Sequence, residues 1–143
     1  MAKLDSKPCL NYELALQMAL AAVEKAKELD IRVSVAVVDD GGNLKAFIRM
    51  DHATLLSIRV SQDKAFTAAS FNKPTRDWYQ RMDTSPFLLH GLNKVERMSI
   101  LTGGLPIRYE GHMIGGIGVS GGNGDQDELC CQAGIDRLQE LLG

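Results

Sequence analysis

The chain has 143 residues, 45% of them apolar and 24% charged, with a formal net charge of -2 and a pI near 5.9. That length and balance suit one globular domain, 1–143, with a core of its own, and no Lys/Arg cluster supplies the footprint of a nucleic-acid binder. No apolar run is long enough to span a bilayer, no apolar signal core opens the chain, and the three cysteines (Cys9, Cys130, Cys131) fit a reducing compartment. A cytoplasmic protein without nucleic-acid or membrane partners is expected.

Asn11 reads as a helix N-cap with Glu13 in the first turn, and Ala15, Ala19, Ala22 and Ala26 recur at helical spacing to about residue 29. Residues 33–38, Val-Ser-Val-Ala-Val-Val, are apolar or small on both faces and read as a central strand. Asp39-Asp40-Gly41-Gly42-Asn43 is a hairpin turn, after which 44–49 returns with Leu44, Ala46 and Ile48 opposite Lys45, Phe47 and Arg49. Ile58, Gln62, Ala65 and Ala69 mark a second helix that stops at Asn72-Lys73-Pro74. A short third helix over 75–82 carries Trp78, and 87–96 has no clear period. Residues 98–101 read as a short strand. Gly103-Gly104 turns the chain into a strand over 105–109, where Pro106 argues for an edge or a strand end. Glu110-Gly111 turns it again into a long strand over 112–120. There Met113, Gly115, Ile117 and Val119 alternate with Ile114, Gly116, Gly118 and Ser120. A glycine loop follows, Asp125 and Glu128 resemble a capping box, and a last helix runs to about residue 142. The order is α-β-β-α-α-β-β-β-α. Tight turns within each run make the pairing antiparallel. The expected fold is α+β, a five-stranded antiparallel sheet flanked by helices, similar to a profilin-like sandwich.

Few residue sets spell out chemistry. Gly116, Gly118 and Gly121 match the letters of the dinucleotide fingerprint, but the first two lie inside a strand. The helix that follows opens with Asp125, Asp127 and Glu128, which repel a pyrophosphate. His52, His90 and His112 are scattered and no zinc spacing occurs. Asp127 and Glu128 suit the N-terminal end of a helix dipole, or alternatively line a pocket below the glycine loop. Lys64 lies beside a face of small residues, and Asp51 stands at a strand end, where sites concentrate.

Several blocks in order carry a resemblance. Val37-Val38-Asp39 with Gly41-Gly42-Asn43, then Arg49-Met50-Asp51-His52-Ala53, form the first. Asp63-Lys64-Ala65-Phe66-Thr67-Ala68 form the second. Gly103-Gly104-Leu105-Pro106-Ile107, Gly111, the run 114–121 and Gln126-Asp127-Glu128 form the third. Together they resemble the GlcG/HbpS family, a small domain also found at the C-terminus of PduO-type proteins. The resemblance implies a homo-oligomer, often an octamer, that binds a small-molecule ligand. For some members that ligand is haem, and others belong with glycolate, propanediol or glycerol utilisation. Two other roles stay open: a non-catalytic accessory protein of a diol or glycerol pathway, or an enzyme on a small hydroxy acid or aldehyde with Lys64 or Asp127 as acid/base. The blocks imply one cleft formed by Asp51, Lys64, Thr67, Gly103, Gly104, Gly121, Gly122 and Asp127. His52 stands where the family usually has glycine. As haem ligands, His90 and His52 rank together and His112 behind them. No paired His/Met spacing marks a haem pocket, which tips the residue-level reading toward a member without haem.

Overall fold

A computed structural model describes residues 1–143. Helix α1 (Tyr12–Glu28) starts where the Asn11 side chain accepts from the Leu14 amide, and it buries the alanine stripe expected of it. Strands β1 (Ser34–Asp39) and β2 (Leu44–Arg49) form a hairpin, and helix α2 (Leu55–Phe71) follows, capped by Thr54. Two short helices come next, α3 (Asp77–Asp83) and α4 (Pro86–Leu92). The chain then enters β3 (Gly104–Tyr109), β4 (His112–Ser120) and helix α5 (Gly124–Leu142).

The strands make one antiparallel sheet in the order β2-β1-β4-β3. Helices α1 and α5 pack on one face, over Val33, Val35, Val37, Ile107, Ile117 and Val119. Helix α2 covers the other, against Ala36 and Val38. The β-branched residues of β1 are buried on both sides for this reason. Close contact with α2 requires bare backbone: a Cβ at Gly116 would lie 2.2 Å from the Ala65 carbonyl oxygen, and one at Gly118 2.1 Å from that of Ser61. Glycine inside a strand weakens the strand locally, and here it lets a helix backbone approach the sheet.

Three expectations are corrected. The sheet has four strands, not five, because 98–101 is irregular and the chain instead forms α4 upstream. Threonine hydroxyls occupy the backbone groups that a ladder would need. Thr67 Oγ1 donates to the Arg97 carbonyl and accepts from the Ser99 amide, and Thr75 Oγ1 donates to the Leu101 carbonyl. Second, the alternation along β4 changes phase. The register slips between Ile107 and Arg108, which face Gly115 and Met113, leaving Ile114 as an extra residue. This bulge turns Met113 toward the α2 side and Ile114 toward α1 and α5. Third, the cap of α5 is a reciprocal pair between Asn123 and Gln126, two residues before the expected Asp125. Asp125 and Glu128 instead hold Arg76 at 2.9 and 2.8 Å, tying the start of α3 to α5.

Candidate functional site

The small face of α2 (Ser57, Ser61, Ala65, Ala68) lies on the sheet, and Lys64 sits on that face. Its ammonium is thereby carried into the core. Lys64 Nζ donates to the Val119 carbonyl at 2.8 Å and to Asp127 Oδ2 at 3.1 Å, with both side chains 3% exposed. Asp127 Oδ1 accepts from the Gly122 amide at 2.8 Å. Burial pushes the Asp127 carboxyl above its ordinary range, while Lys64 and the Gly122 and Gly121 amides pull it back. Gly103, at φ +125, closes the site from above, where a Cβ would lie 2.7 Å from Asp127 Cβ and 2.8 Å from Lys64 Nζ. The Gly104 amide donates to Thr75 Oγ1, and the Thr75 amide donates back to the Gly104 carbonyl.

Lys64, Asp127, Gly103, Gly104, Gly121 and Gly122 thus meet in one cluster. Thr67, one turn along α2, holds the 97–99 segment and borders a small apolar cavity of about 130 Å³ with Phe66, Phe71 and Met98. Asp51 is exposed in the turn after β2 and lines a different groove. None of the five principal cavities is lined by Lys64 or Asp127. The pair joins α2, β4 and α5 in the interior, away from those five cavities.

The histidines lie elsewhere. His52 is exposed and occupies the left-handed region at φ +70, which explains why glycine suits that position. His90 is exposed on α4, a helix with no buried residue. His112 opens β4 directly opposite Tyr109, so the two rings stand side by side across the Glu110-Gly111 turn. Both border the largest groove, about 610 Å³, whose apolar wall includes Leu10, Leu14, Ile114 and Leu138, with Lys7 and Cys9 at its edge. The size is that of an ordinary small-molecule site. Neither Tyr109 nor Cys9 is singled out as a site residue by the sequence analysis. The signal for Tyr109 was present, since residues flanking a two-residue hairpin turn are cross-strand neighbours. Cys9 had none, because the N-terminal segment reaches the groove only through tertiary packing. No group of three or more His, Cys, Asp or Glu side chains is placed to hold a metal ion by itself. No helix is long and apolar enough to cross a membrane.

Residues 10–136 match the family model described as "Haem degrading protein HbpS-like". A 15.0 kDa protein of Citrobacter freundii, from the dhaT-dhaS intergenic region, is 37% identical over 143 residues, 99% of this chain and 100% of that one. Protein GlcG of Escherichia coli K12 is 33% identical over 119 residues, 82% of this chain and 85% of its own. Among solved structures, the Klebsiella pneumoniae protein ORFY superposes with a TM-score of 0.89 at 35% identity, covering 97% of each chain. A PduOC–haem complex superposes at 0.82 and 28% identity, covering 91% of this chain and 95% of that one. With the match spanning α1 to β4 and most of α5, and relatives aligned over most of their own length, the chain belongs to the HbpS-like family, the kin of GlcG.

Proposed function

We propose that this protein is a cytoplasmic, homo-oligomeric small-ligand-binding protein whose ligand is haem, held in the groove between the N-terminal segment, the β3–β4 hairpin and α5. The observation that carries the reading is the pairing of His112 and Tyr109 beside an apolar wall in the largest groove. Imidazole and phenol are both established haem-iron ligands. The residues fit the group. Leu14 and Leu142 offer an apolar surface to a porphyrin face over the buried floor of Leu10, Ile114 and Leu138, and His112 or Tyr109 offers an axial ligand. Lys7 reaches the groove edge as a cation, though Asp40 already pairs with it. Bound haem would supply a redox-active iron. The protein's own part is to orient the ring and shield one face from water. His90 lines none of the five principal cavities, and His52 borders a groove dominated by charged side chains, so the geometry favours His112. Cys130 and Cys131 are buried, and burial pushes the Cys130 thiol up to about 12 and Cys131 well above its ordinary value, so neither competes as a thiolate ligand.

Support also comes from the PduOC–haem complex, whose fold this chain shares. The architecture is read as a profilin-like layered sandwich forming one domain over 1–143, and the assembly as an octamer. The setting is glycolate, propanediol or glycerol utilisation, as the family resemblance implies. The interior placement of Lys64 and Asp127 favours binding over acid/base catalysis at that pair.

Haemin titration of the purified protein tests the proposal. A saturable Soret shift is expected at about one haem per chain, lost in His112→Ala and perturbed in Tyr109→Phe, with His90→Ala unchanged. A featureless titration, or equal binding by His112→Ala and the parent, overturns it.

A further inference from the structure

We propose that a second groove, between the end of α1 and the turn after β2, binds a small organic anion, a carboxylate or phosphate ester with a short apolar body. The groove is about 520 Å³ and shares no residue with the one that His112 borders. Lys27, Arg32, Arg49 and His52 line it, against a single carboxylate, Asp51. Glu24 pairs with Lys27, so the groove's unbalanced positive charge comes from Arg32 and Arg49 against Asp51, on a chain whose net charge is -2.

The three cations are not equally free. Lys27 lies in the last turn of α1, pairs with Glu24 at 3.0 Å, and meets the negative end of the helix dipole. Arg32 makes no hydrogen bond or ion pair within the chain, and it is exposed. Arg49 donates from Nε and Nη2 to the Ala53 carbonyl at 3.3 and 2.8 Å, which fixes its guanidinium plane and leaves Nη1 available. A fixed guanidinium suits planar, forked recognition of an oxyanion, and Arg32, which no partner holds, is free to close from the other side. Val23, Ile48 and Met50 supply an apolar floor. The floor selects an anion with a carbon body over bare chloride. His52 is held over the groove by its left-handed turn.

Sodium phosphate and sodium butyrate, titrated separately into ¹⁵N-labelled protein at constant ionic strength, test the site. The expected result is saturable shifts at the signals of Arg32, Arg49 and His52, with a Kd on the order of millimolar for at least one probe. Saturation by phosphate alone assigns a phosphate ester, and saturation by butyrate alone a carboxylate. Arg32→Glu should weaken binding at least about tenfold, through loss of one cation and gain of a like charge. Lys27→Gln, a change on an exposed helix position, should weaken it about threefold and serves if Arg32→Glu fails to fold. Linear shifts with both anions, or unaltered binding in a folded variant, overturn the proposal. The anion titrations read the signals of Arg32, Arg49 and His52, whereas the haem proposal stands or falls on His112→Ala, so the two proposals fail separately.

Discussion

Lys64 and Asp127 show what a charged residue does when it is carried into the core. Taking two ions out of water costs several kcal/mol each, and their attraction together with the Val119 and Gly122 backbone groups offsets most of that. Removing one partner strands the other. Lys64→Ala should therefore lower stability by about 3–5 kcal/mol in urea unfolding, whereas the double change Lys64→Met with Asp127→Leu should cost less than either single one. Additive losses in that cycle would show that the two residues act independently. Sequence placed Lys64 correctly beside small residues, and the acids at the start of α5. Their partnership could not be read there, because 63 positions separate them and only the packing of α2 across β4 brings them together. His52 is the converse case. Its departure from the family pattern was visible, and the structure supplies the reason: at φ +70 a glycine is unstrained and a histidine is not.

At the scale of elements, the glycines of β4 set how near α2 can come. Gly118→Ala would drive a methyl against the Ser61 carbonyl and the Ala65 amide, both backbone groups that cannot swing aside. The expected cost is at least about 3 kcal/mol, or failure to fold, from overpacking. Gly91→Ala is the control. It lies in α4 with nothing within 4 Å of the added methyl, and should be neutral or stabilising by up to about 1 kcal/mol. Thermal melts of the two variants check the contrast, and equal melting temperatures would refute it. Helices α1, α2 and α5 and the two hairpins were legible because their periods are long and their turns carry Asn, Asp and Gly. The phantom strand at 98–101 was a short apolar run, for which period alone cannot separate strand from loop. Its fate was decided by Thr67 and Thr75, which lie 26 to 32 residues upstream of the backbone groups they hold.

Across the whole molecule, several large apolar side chains remain in water. Tyr12, Leu16 and Leu20 recur every four residues along α1, each more than 40% exposed, and Leu129 on α5 is similar. A stripe of this kind is the sort of surface that copies of a chain cover in an assembly. Stable interfaces bury roughly 800 Å² per partner, so the proposed oligomer needs such helix faces. Light scattering at micromolar concentration should give a mass of several chains, shifted toward the monomer by Leu16→Lys with Leu20→Lys. A parent protein that runs at 15.6 kDa would refute the oligomer.

What the sequence by itself determined is local: the course of the three long helices, which strand is buried on both sides, and where the hairpins turn. These follow from the spacing of apolar residues and from turn residues acting on their near neighbours. The family, too, was within its reach, since ordered blocks survive as letters. Only the tertiary structure decided that the sheet ends at four strands, that Ile114 bulges and switches the faces of β4, and that Lys64 meets Asp127 in the buried interior. It alone brings Tyr109, His112 and Leu138 to one groove, and Arg32 and Arg49 to another. Grooves and buried pairs are made by residues far apart in the chain. Their chemistry depends on distance in space, which no periodicity along the sequence encodes.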